Sequence, residues 1–530
     1  MQRRMRIVSI GAAVAASGML VATGIAPQAT AANDTSEMMV TKGFRKAVTT
    51  AGINEHLQAL QTIAGGSNRV SGTPRYDASV DYVKGRMQAA GYQVTVQPFQ
   101  FVYNADVAPA VLQRISPNPA AWTDGPDFAS MTYSGNGDVT ASLYAVNLTI
   151  PPPATPGASP SGCAAADFSG FPAGSIALIQ RGTCDFRVKA LNAQAAGAAG
   201  VVIMNEGQPG RTGVLSGTLS SPGVTIPVVG ATFAVGDSLR NGVTNGSTNS
   251  VVRLKVERVN EPRTTYNVIA ETPGGDPNNV VVVGAHLDSV PRGPGINDNG
   301  SGSAAILEVA EAYAAQERTP TSKLRFAWWG AEEFGLLGSN YYVANLSQAD
   351  RDKIALNLNF DMVGSPNYVR FVYDGDNSAF PVGPGAALGP EGSGAIEATF
   401  HDYFDAVGLQ SSETPFSGRS DYGPFIAVGI PAGGLFTGAE GVKTAAEAAV
   451  YGGTAGESYD KCYHLFCDGF TNVNQKGLDE MSDAIAHTVL VYSRRDFVKS
   501  PLLDPVQPVT ASLSGGEGGG LHEEHELDAS

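Results

Sequence analysis

The sequence predicts an α/β fold in which a mostly parallel mixed sheet is flanked by helices and interrupted by a smaller α+β unit. Apolar runs alternate with helical segments from Tyr266 to about Val498, which is the pattern of a parallel sheet covered by helices. The valines between Asn279 and Gly284 form a continuous β-branched run, as in a strand buried on both faces. Proline- and glycine-rich stretches around short strands set residues 105–257 apart as an inserted unit.

Spacing along the chain predicts the individual elements. Leu57, Leu60 and Ile63 recur at helical spacing, and a second helix ends before Gly91. Residues 92–99 alternate apolar and polar side chains, as in a half-buried strand. Farther on, the sequence predicts strands at 175–180, 201–204, 279–284, 324–329 and 355–360, and helices at 188–198 and 301–316.

The charge balance excludes one class of function. The 530 residues include 50 Asp and Glu against 34 Lys and Arg, which gives a formal net charge of −16. Because proteins that bind nucleic acid present a basic surface, we expect no nucleic-acid partner. The composition, 43% hydrophobic and 16% charged, is typical of a packed globular protein rather than a disordered one.

The first 31 residues have the features of a signal peptide. Three arginines precede an apolar run from Ile7 to Ile25, and the small residues at 29–31 match a cleavage site. A membrane anchor is the alternative, but the run leads directly into the small-residue site, which favours export with cleavage. We therefore expect a secreted, extracellular protein without membrane association, with a leader-like segment at 32–45 and a flexible tail at 499–530.

Four cysteines are present, at positions 163, 184, 462 and 467. An even count in an exported chain favours two disulfides. Sequence distance favours the pairs Cys163–Cys184 and Cys462–Cys467, although the sequence alone leaves the other two pairings open. A four-cysteine zinc site is the competing interpretation, but the paired C-x2-C spacing of such sites is missing.

Part of the inserted unit resembles a protease-associated domain. The resemblance rests on Gly162-Cys163, the segment ALIQRGTCDF at 177–186, Lys189, and the segment AQAAGAAGVVIMN at 193–205. Domains of this kind are non-catalytic insertions that flank or cover a peptidase active site. The resemblance therefore implies a peptidase elsewhere in the chain.

Polar residues follow three predicted strands at the points where the strands end. They are His286 and Asp288 after the first strand, Asp298 before the following helix, Glu332 and Glu333 after the second strand, and Asp361 after the third. Because ligands bind beyond the carboxyl ends of parallel strands, we expect these side chains to converge on one edge of the sheet. Imidazole and carboxylate donors without cysteine suit zinc in a hydrolytic site. Asp288 is placed to hydrogen-bond His286 and fix its tautomer.

These motifs resemble those of the two-zinc aminopeptidases of family M28, in the secreted bacterial branch. The matching segments are His286-Leu-Asp-Ser, Asn297-Asp-Asn-Gly-Ser-Gly, Ala331-Glu-Glu-Phe-Gly-Leu-Leu-Gly-Ser, Asn359-Phe-Asp-Met-Val-Gly and Tyr463-His464. The resemblance implies a zinc-peptidase (phosphorylase-like) fold over residues 46–104 and 258–498, with residues 105–257 inserted.

The resemblance also implies roles for individual residues. His286 and Asp361 would hold one zinc ion, Glu333 and His464 the other, and Asp298 would bridge the two. Glu332 would act as general base and acid on a water shared by the zinc ions, and Tyr463 would steady the oxyanion. A disulfide between Cys462 and Cys467 would hold Tyr463 and His464 in place.

The activity so implied is that of a secreted, monomeric metalloaminopeptidase that hydrolyses peptides or proteins with a free N-terminus. A large apolar first residue is the preference expected from the family, with Phe416, Phe425 and Phe436 available as pocket walls. Arg419, in the segment SGRSDYG, matches a loop near the substrate. Asp479 and Asp483 resemble the calcium ligands of some relatives, but Ala47 stands in place of the matching acid, so the calcium pattern is incomplete.

Two further motifs are weak evidence for a functional site. His522 and His525 lie in the tail with a spacing that differs from H-E-x-x-H, so we interpret them as solvated. Asn299 begins a glycosylation sequon, but a glycan beside Asp298 would block the predicted site.

Three alternative functions stay open at this stage. A carboxypeptidase of the same superfamily would need a cationic pocket for the terminal carboxylate, and Arg419 alone is thin support for one. A glutaminyl cyclase relative would use one zinc ion, which contradicts a bridging role for Asp298. A binding protein on an inactive peptidase scaffold would have lost ligands, whereas this sequence fills every expected position.

Overall fold

The computed structural model describes residues 29–505, apart from Gly210 and Pro384, and the side chains only from residue 36 onward. Residues 1–28 of the predicted signal peptide therefore lie outside the described residues. The same holds for residues 506–530 of the predicted tail, with His522 and His525. Among the described helices, none is both long and apolar enough to cross a bilayer.

The strands of the described residues belong to one sheet. They are β1 (Gln93–Ser116), β2 (Ala120–Trp122), β3 (Phe128–Ser130), β4 (Gly137–Ala145), β5 (Ile176–Gln180), β6 (Gly200–Met204), β7 (Val228–Ala231), β8 (Gly246–Glu271), β9 (Asp276–His286), β10 (Ser322–Trp329), β11 (Ile354–Phe360), β12 (Phe371–Tyr373), β13 (Ser412–Thr414) and β14 (Ala432–Phe436). Their order is β13-β12-β14-β11-β9-β10-β8-β4-β5-β6-β7-β3, and β1 pairs with β8 and β2.

Helices lie between and around these strands. They are α1 (Ala29–Arg45), α2 (Thr50–Ala64), α3 (Pro74–Ala89), α4 (Phe186–Ala195), α5 (Phe233–Arg240), α6 (Gly300–Ala315), α7 (Leu337–Ala344), α8 (Gln348–Arg351), α9 (Ser393–Ala406), α10 (Gly423–Ile426), α11 (Ala445–Tyr451) and α12 (Gln475–Ser493). Short 3-10 turns occupy Ala165–Phe168, Glu332–Phe334 and Phe470–Asn472. The predicted α/β class, with a mixed sheet flanked by helices, is confirmed.

The centre of the sheet is parallel. Strand β9 runs parallel to β10 on one side and to β11 on the other, and β11 runs parallel to β14. Every residue of β9 from Asn279 to His286 is buried, which accounts for its unbroken run of valines. The carboxyl ends of these strands therefore lie along one edge, as the sequence predicts.

Strands β1 and β8 form a long antiparallel ribbon that links the two parts of the protein. Their pairing extends from Gln93 opposite Glu271 to Ser116 opposite Val251. Near Glu271 the ribbon joins the central strands through β10, and near Val251 it joins the inserted sheet through β4. The ribbon makes the sheet continuous through both parts, and the predicted borders at 105 and 257 fall inside these strands.

Local side-chain chemistry sets several helix ends. Thr49 accepts a hydrogen bond from the backbone N–H of Gly52 at the start of α2, and Gly65 ends that helix in a left-handed conformation. Asn299 caps α6 by accepting from the N–H of Gly302 at 2.9 Å. This cap places the beginning of α6 directly after Asp298, beside the expected site.

Separate hydrophobic clusters support the two parts. The largest joins the central sheet to α2, α3, α6, α9 and α12, and it includes the fully buried Phe44 of α1. Two clusters on β4–β8 belong to the inserted part. The disulfide Cys163–Cys184 lies in that part and Cys462–Cys467 lies in the other, so both favoured pairings are confirmed.

Candidate active site

The parallel strands deliver their terminal residues to one place. His286 is the last residue of β9 and lies opposite Trp329, the last residue of β10. Glu332 and Glu333 follow in a 3-10 turn that a left-handed Ala331 (φ 53°) directs away from the strand. Asp361 directly follows β11. The predicted convergence of these residues is therefore present in the structure.

Asp298 is shared by two groups of potential ligands. Its Oδ1 lies 3.3 Å from His286 Nε2, which is also 3.3 Å from Asp361 Oδ1. Its Oδ2 lies 3.1 Å from His464 Nε2, which is 3.2 Å from Glu333 Oε2. Each oxygen of one carboxylate thus faces a different imidazole, and the five side chains divide into two groups around Asp298.

Glu332 stands beside these groups. Its Oε2 lies 3.8 Å from His286 Nε2, and its backbone N–H donates to Asp288 Oδ1 at 3.2 Å. Asp288 is fully buried and lies 3.6 Å from His286 Nδ1. That distance is an ion-pair contact longer than the predicted hydrogen bond, so Asp288 contacts the imidazole and also anchors the Glu332 turn.

The disulfide loop presents Tyr463 and His464 together. Their rings stack with centroids 3.8 Å apart and planes inclined by 22°. Arg419 donates from Nη2 to the Tyr463 hydroxyl oxygen at 3.2 Å, and its Nη1 pairs with Glu440 Oε1 at 2.7 Å. Arg419 therefore reaches the site, where it touches Tyr463 while its charge is balanced by Glu440.

Several positioning residues lie outside the sequence prediction. Ser420 Oγ donates to Asp361 Oδ2 at 2.6 Å, and Asn359 Nδ2 donates to Ser420 Oγ at 2.8 Å. Asp468 accepts from the backbone N–H of Asp298 at 3.0 Å. Both were adjacent to noted features, since Ser420 follows Arg419 and Asp468 follows Cys467, but adjacency alone does not predict what a loop residue contacts.

The buried Arg69 holds the loop between β9 and Asp298. Its guanidinium donates to the backbone oxygens of Pro294 at 3.0 Å, Gly295 at 2.6 Å and Leu287. Burial lowers the pKa of Arg69 to about 10, so its charge is kept at neutral pH. These contacts fix the loop that leads to Asp298.

The donor atoms fit metal ions rather than one another. Asp298 Oδ2, Glu333 Oε1 and Asp361 Oδ1 are buried without a hydrogen-bond partner among the described residues. Unsatisfied buried carboxylate oxygens are costly unless a cation binds them. Imidazole nitrogen with carboxylate oxygen is the donor set that zinc takes in catalytic sites. The two ligand groups around Asp298 therefore fit zinc.

The electrostatics of the cluster point the same way. Burial lowers the pKa of His286, but the Asp361 and Glu332 carboxylates outweigh this and raise it well above its usual value. Burial also raises the pKa of Glu332 well above its usual value, and it raises the pKa of Glu333 to about 7 with a further contribution from Asp298. The cluster thus carries more negative charge than its own side chains compensate.

Aromatic residues form a buried cluster near the ligands. Phe416, Tyr373 and Tyr422 make one buried cluster against which Phe436 packs. Burial raises the pKa of the Tyr373 hydroxyl well above its usual value, and Tyr422, Asp361 and Glu332 raise it further against the opposing charge of Arg419. Phe425 belongs instead to a separate cluster with Trp329 and Tyr342, so only two of the three suggested phenylalanines, Phe416 and Phe436, belong to this aromatic cluster.

The remaining predicted residues lie elsewhere. Asp479 and Asp483 line a cleft together with Lys42, Arg45 and Lys46, which places three cationic side chains beside the suggested calcium ligands. Asn299 is fully buried and donates from Nδ2 to the Phe360 carbonyl at 2.9 Å. The sequon residue is thus part of the interior.

A parallel sheet whose strands end in two ligand groups around one shared carboxylate defines a metal-dependent hydrolase of the α/β class. Sequence comparison specifies the family within that class. The chain belongs to peptidase family M28, whose model matches residues 267–489, and a PA domain model matches residues 139–239.

Individual relatives cover most of the chain. An aminopeptidase of Pseudomonas aeruginosa strain UCBPP-PA14 is 50% identical over 451 residues, which are 84% of this chain and 81% of the relative. A probable leucine aminopeptidase 2 of Aspergillus fumigatus is 41% identical over 428 residues, 80% of this chain and 79% of the relative. Among solved structures, an aminopeptidase of Aneurinibacillus sp. strain AM-1 matches with a TM-score of 0.66 at 27% identity, covering 89% of this chain and 98% of that one. BSAP, a zinc aminopeptidase of Bacillus subtilis, shares the fold with a TM-score of 0.60 at 24% identity, covering 86% of this chain and 98% of the other.

Proposed function

We propose that this protein is a two-zinc aminopeptidase that releases N-terminal residues from peptides. The proposal rests on the position of Asp298, whose two carboxylate oxygens face the imidazoles of His286 and His464 at 3.3 and 3.1 Å. A carboxylate so placed suits a bridge between two metal ions. The relatives at 50% and 41% identity are an aminopeptidase and a probable leucine aminopeptidase, and zinc suits the imidazole and carboxylate donors.

Five residues would hold the metal. His286 and Asp361 would bind one zinc ion, Glu333 and His464 would bind the other, and Asp298 would bind both. When bound, zinc lowers the pKa of water and polarises the scissile carbonyl. The hydrogen bond from Ser420 to Asp361 and the contact of Asp288 with His286 orient two of these ligands.

Glu332 would transfer the proton. It lies beside the ligand groups, and its turn is anchored by the hydrogen bond to Asp288. In the first step its carboxylate takes a proton from the attacking water, and in the second it returns that proton to the departing amine.

Tyr463 would stabilise the negative charge that develops on the carbonyl oxygen. Burial raises the pKa of its hydroxyl well above the usual value, and Asp298 adds to this against the opposing charge of Arg419. The hydroxyl therefore stays protonated and can donate a hydrogen bond. Arg419 and the stacked His464 fix the direction of that hydroxyl.

The surroundings suit a substrate with a free amine and an apolar first residue. The carboxylates of Glu332 and Asp361 attract an N-terminal ammonium group. Phe436 is partly exposed and packs on the buried Phe416 and Tyr373, so it offers an apolar wall nearby, in agreement with relatives named leucine aminopeptidase. The pairing of Arg419 with Glu440 disfavours the carboxypeptidase alternative, because the guanidinium charge is already balanced.

We further infer the organisation and location of the protein. Residues 46–104 and 258–498 would form the catalytic domain, residues 105–257 the inserted protease-associated domain, and the mature chain would act as an extracellular monomer after loss of residues 1–31. Two disulfides among the described residues are consistent with an oxidising compartment. N-terminal sequencing of the protein from culture medium, with its mass in solution, tests these points.

Hydrolysis of aminoacyl anilides tests the proposed activity. We expect cleavage of leucyl and phenylalanyl anilides, no cleavage of their N-acetylated forms, and loss of activity with a chelator that zinc restores. Cleavage of the acetylated substrates alone, or full activity of metal-free protein, would contradict the proposal. A panel of small, acidic and basic first residues measures the apolar preference.

A further inference from the structure

A second cluster of metal-binding residue types lies between α2 and α6. It consists of His56 on α2 and of Glu308 and Glu311 on α6, one helical turn apart. His56 Nε2 is 3.7 Å from Glu308 Oε2 and 3.8 Å from Glu311 Oε2. None of these residues belongs to the two groups around Asp298, so the cluster is separate from the catalytic site.

The imidazole of His56 is oriented for a ligand at Nε2. The residue is fully buried, and its Nδ1 is hydrogen-bonded to the Tyr82 hydroxyl at 2.8 Å. Among the described residues Nε2 has no hydrogen-bond partner; it is buried and faces both carboxylates. A histidine that ligates a metal has this arrangement, with one nitrogen held by a neighbour and the other facing the ion.

Both carboxylates are held in place by other groups. Glu308 Oε1 accepts from the backbone N–H of Thr49 at 3.1 Å and from its hydroxyl at 3.2 Å, which leaves Oε2 facing His56. Arg86 donates hydrogen bonds from Nε and Nη2 to the two carboxylate oxygens of Glu311, each at 2.6 Å. Arg86 balances the charge of Glu311 but does not contact Glu308, whose charge faces the imidazole.

Gly52 provides the space that Glu308 occupies. A Cβ atom at this position would lie 2.2 Å from Glu308 Oε1, although Gly52 is within α2 and its backbone does not require glycine. Glycine has a low helix propensity, so its presence within α2 is a local cost that makes room for the Glu308 carboxylate. This is a second sign that the position of Glu308 is specified.

We propose that His56, Glu308 and Glu311 form a further divalent-metal site that joins α2 to α6. Two donors bound at about 2.1 Å to one ion lie no more than about 4.2 Å apart, and both imidazole–carboxylate distances satisfy this limit. One nitrogen and two carboxylate oxygens suit zinc or a similar first-row ion, whereas calcium takes oxygen ligands. Water completes the coordination, since 13% and 20% of the Glu308 and Glu311 side chains are exposed.

Metal content per chain tests this site. Wild-type protein, His56→Gln and Glu308→Gln are saturated with zinc, dialysed against metal-free buffer and measured by plasma mass spectrometry. We expect each variant to retain one zinc ion fewer than the wild type. Glu308→Gln keeps the shape of the side chain and its contact with Thr49, so it serves where the histidine variant does not fold. The control is His487→Gln, a buried histidine without paired carboxylates, which retains the wild-type content.

Anomalous scattering at the zinc edge locates the ion independently. We expect a peak within bonding distance of His56 Nε2 in crystals of the wild type and no such peak in His56→Gln. Equal zinc content in the wild type and both variants, or no peak at His56, would overturn the proposal and leave a direct imidazole–carboxylate contact. Neither result depends on catalysis, so failure here is distinct from failure of the proposed peptidase activity.

Discussion

Asp468 binds the backbone that carries Asp298. Its Oδ2 accepts from the N–H of Asp298 at 3.0 Å, and its Oδ1 accepts from the N–H of Asn297 at 2.9 Å. Asp468 is itself buried and directly follows Cys467, the end of the disulfide loop. The shared aspartate and the loop that holds Tyr463 and His464 are therefore attached to each other through one carboxylate.

Replacement of Asp468 by asparagine tests that attachment. The amide offers one acceptor in place of two, so one buried N–H at Asn297 or Asp298 loses its partner. We expect zinc affinity to fall about 10–100-fold, as for other residues that orient ligands, with a matching loss of kcat. Chelator competition measures the affinity. Asp496→Asn, which removes an acid paired with Lys499 at the surface, is the matched control, and equal affinity in the two variants would contradict this role.

The role of Glu332 is tested by Glu332→Ala. Because Glu332 lies outside the two ligand groups around Asp298, we expect the variant to keep its zinc. Loss of the proton carrier should lower kcat about 10²–10⁴-fold. Activity and metal content are measured on the same preparation. A variant that stays active refutes the general-base assignment, and one that loses zinc identifies Glu332 as a ligand instead.

Two separate variants, Tyr463→Phe and Glu440→Gln, test the role of the Tyr463 hydroxyl. Removal of the donor should lower kcat about 10²–10³-fold with little change in KM, since the hydrogen bond forms with the developing oxyanion. Glu440→Gln keeps that donor but weakens the hold on Arg419, so we expect a smaller loss. If Tyr463→Phe retains wild-type kcat, the ring serves only to pack against His464.

The strand-end residues could be predicted from the sequence because the physics involved is regular. Parallel strands carry their carboxyl ends to one edge, so His286, Glu333 and Asp361 must meet once the strands are recognised. Their spacing in sequence is large, but the sheet determines their spacing in the structure. Strand β9 and helix α2 were also predicted correctly, because a β-branched run and helical spacing of apolar residues are regular local patterns.

Contacts made by loops could not be predicted in this way. Arg419 and Glu440 are 21 residues apart and meet across two loops, and no periodicity encodes that pairing. The hold of Asp468 on Asp298 spans 170 residues. The length of the β1–β8 ribbon was also missed, because exposed polar positions along it resemble loop composition. Such contacts depend on backbone paths that residue spacing does not specify.

The two disulfides should differ in what their removal changes. Cys462 and Cys467 are five residues apart, so their closure contributes only about 2 kcal/mol in the chain-entropy model, against about 3 kcal/mol for Cys163 and Cys184, which are 21 apart. We expect the serine double variant at 462 and 467 to lose about 2 kcal/mol of stability and about tenfold or more in kcat/KM, because the smaller loop positions Tyr463 and His464. The serine double variant at 163 and 184 should lose about 3 kcal/mol of stability with little change in kcat/KM, and equal activity of both variants would contradict the positioning role of the smaller loop.

The pH dependence of stability should contain a contribution from His487. This residue is buried on α12, where its Nδ1 is 2.9 Å from the hydroxyl of Thr41 on α1. Burial, together with a smaller effect of the Arg45 charge, lowers the pKa of His487 from the ordinary 6.5 to about 4. Between these values the unfolded chain binds a proton that the folded protein does not, so stability falls as the pH drops from 6.5 toward 4.

The variant His487→Gln isolates this contribution. It keeps a partner for Thr41 but cannot titrate, so its unfolding free energy should fall less steeply over the same range, with a difference of up to about 3 kcal/mol at pH 4. Urea unfolding followed by tryptophan fluorescence at fixed ionic strength measures it. Thr41→Val removes the hydrogen bond but keeps the titrating ring, so it should retain the wild-type slope. If the unfolding free energies of His487→Gln and the wild type fall equally with pH, His487 is not neutral in the folded protein over this range. Other groups would then cause the loss of stability of the protein in acid.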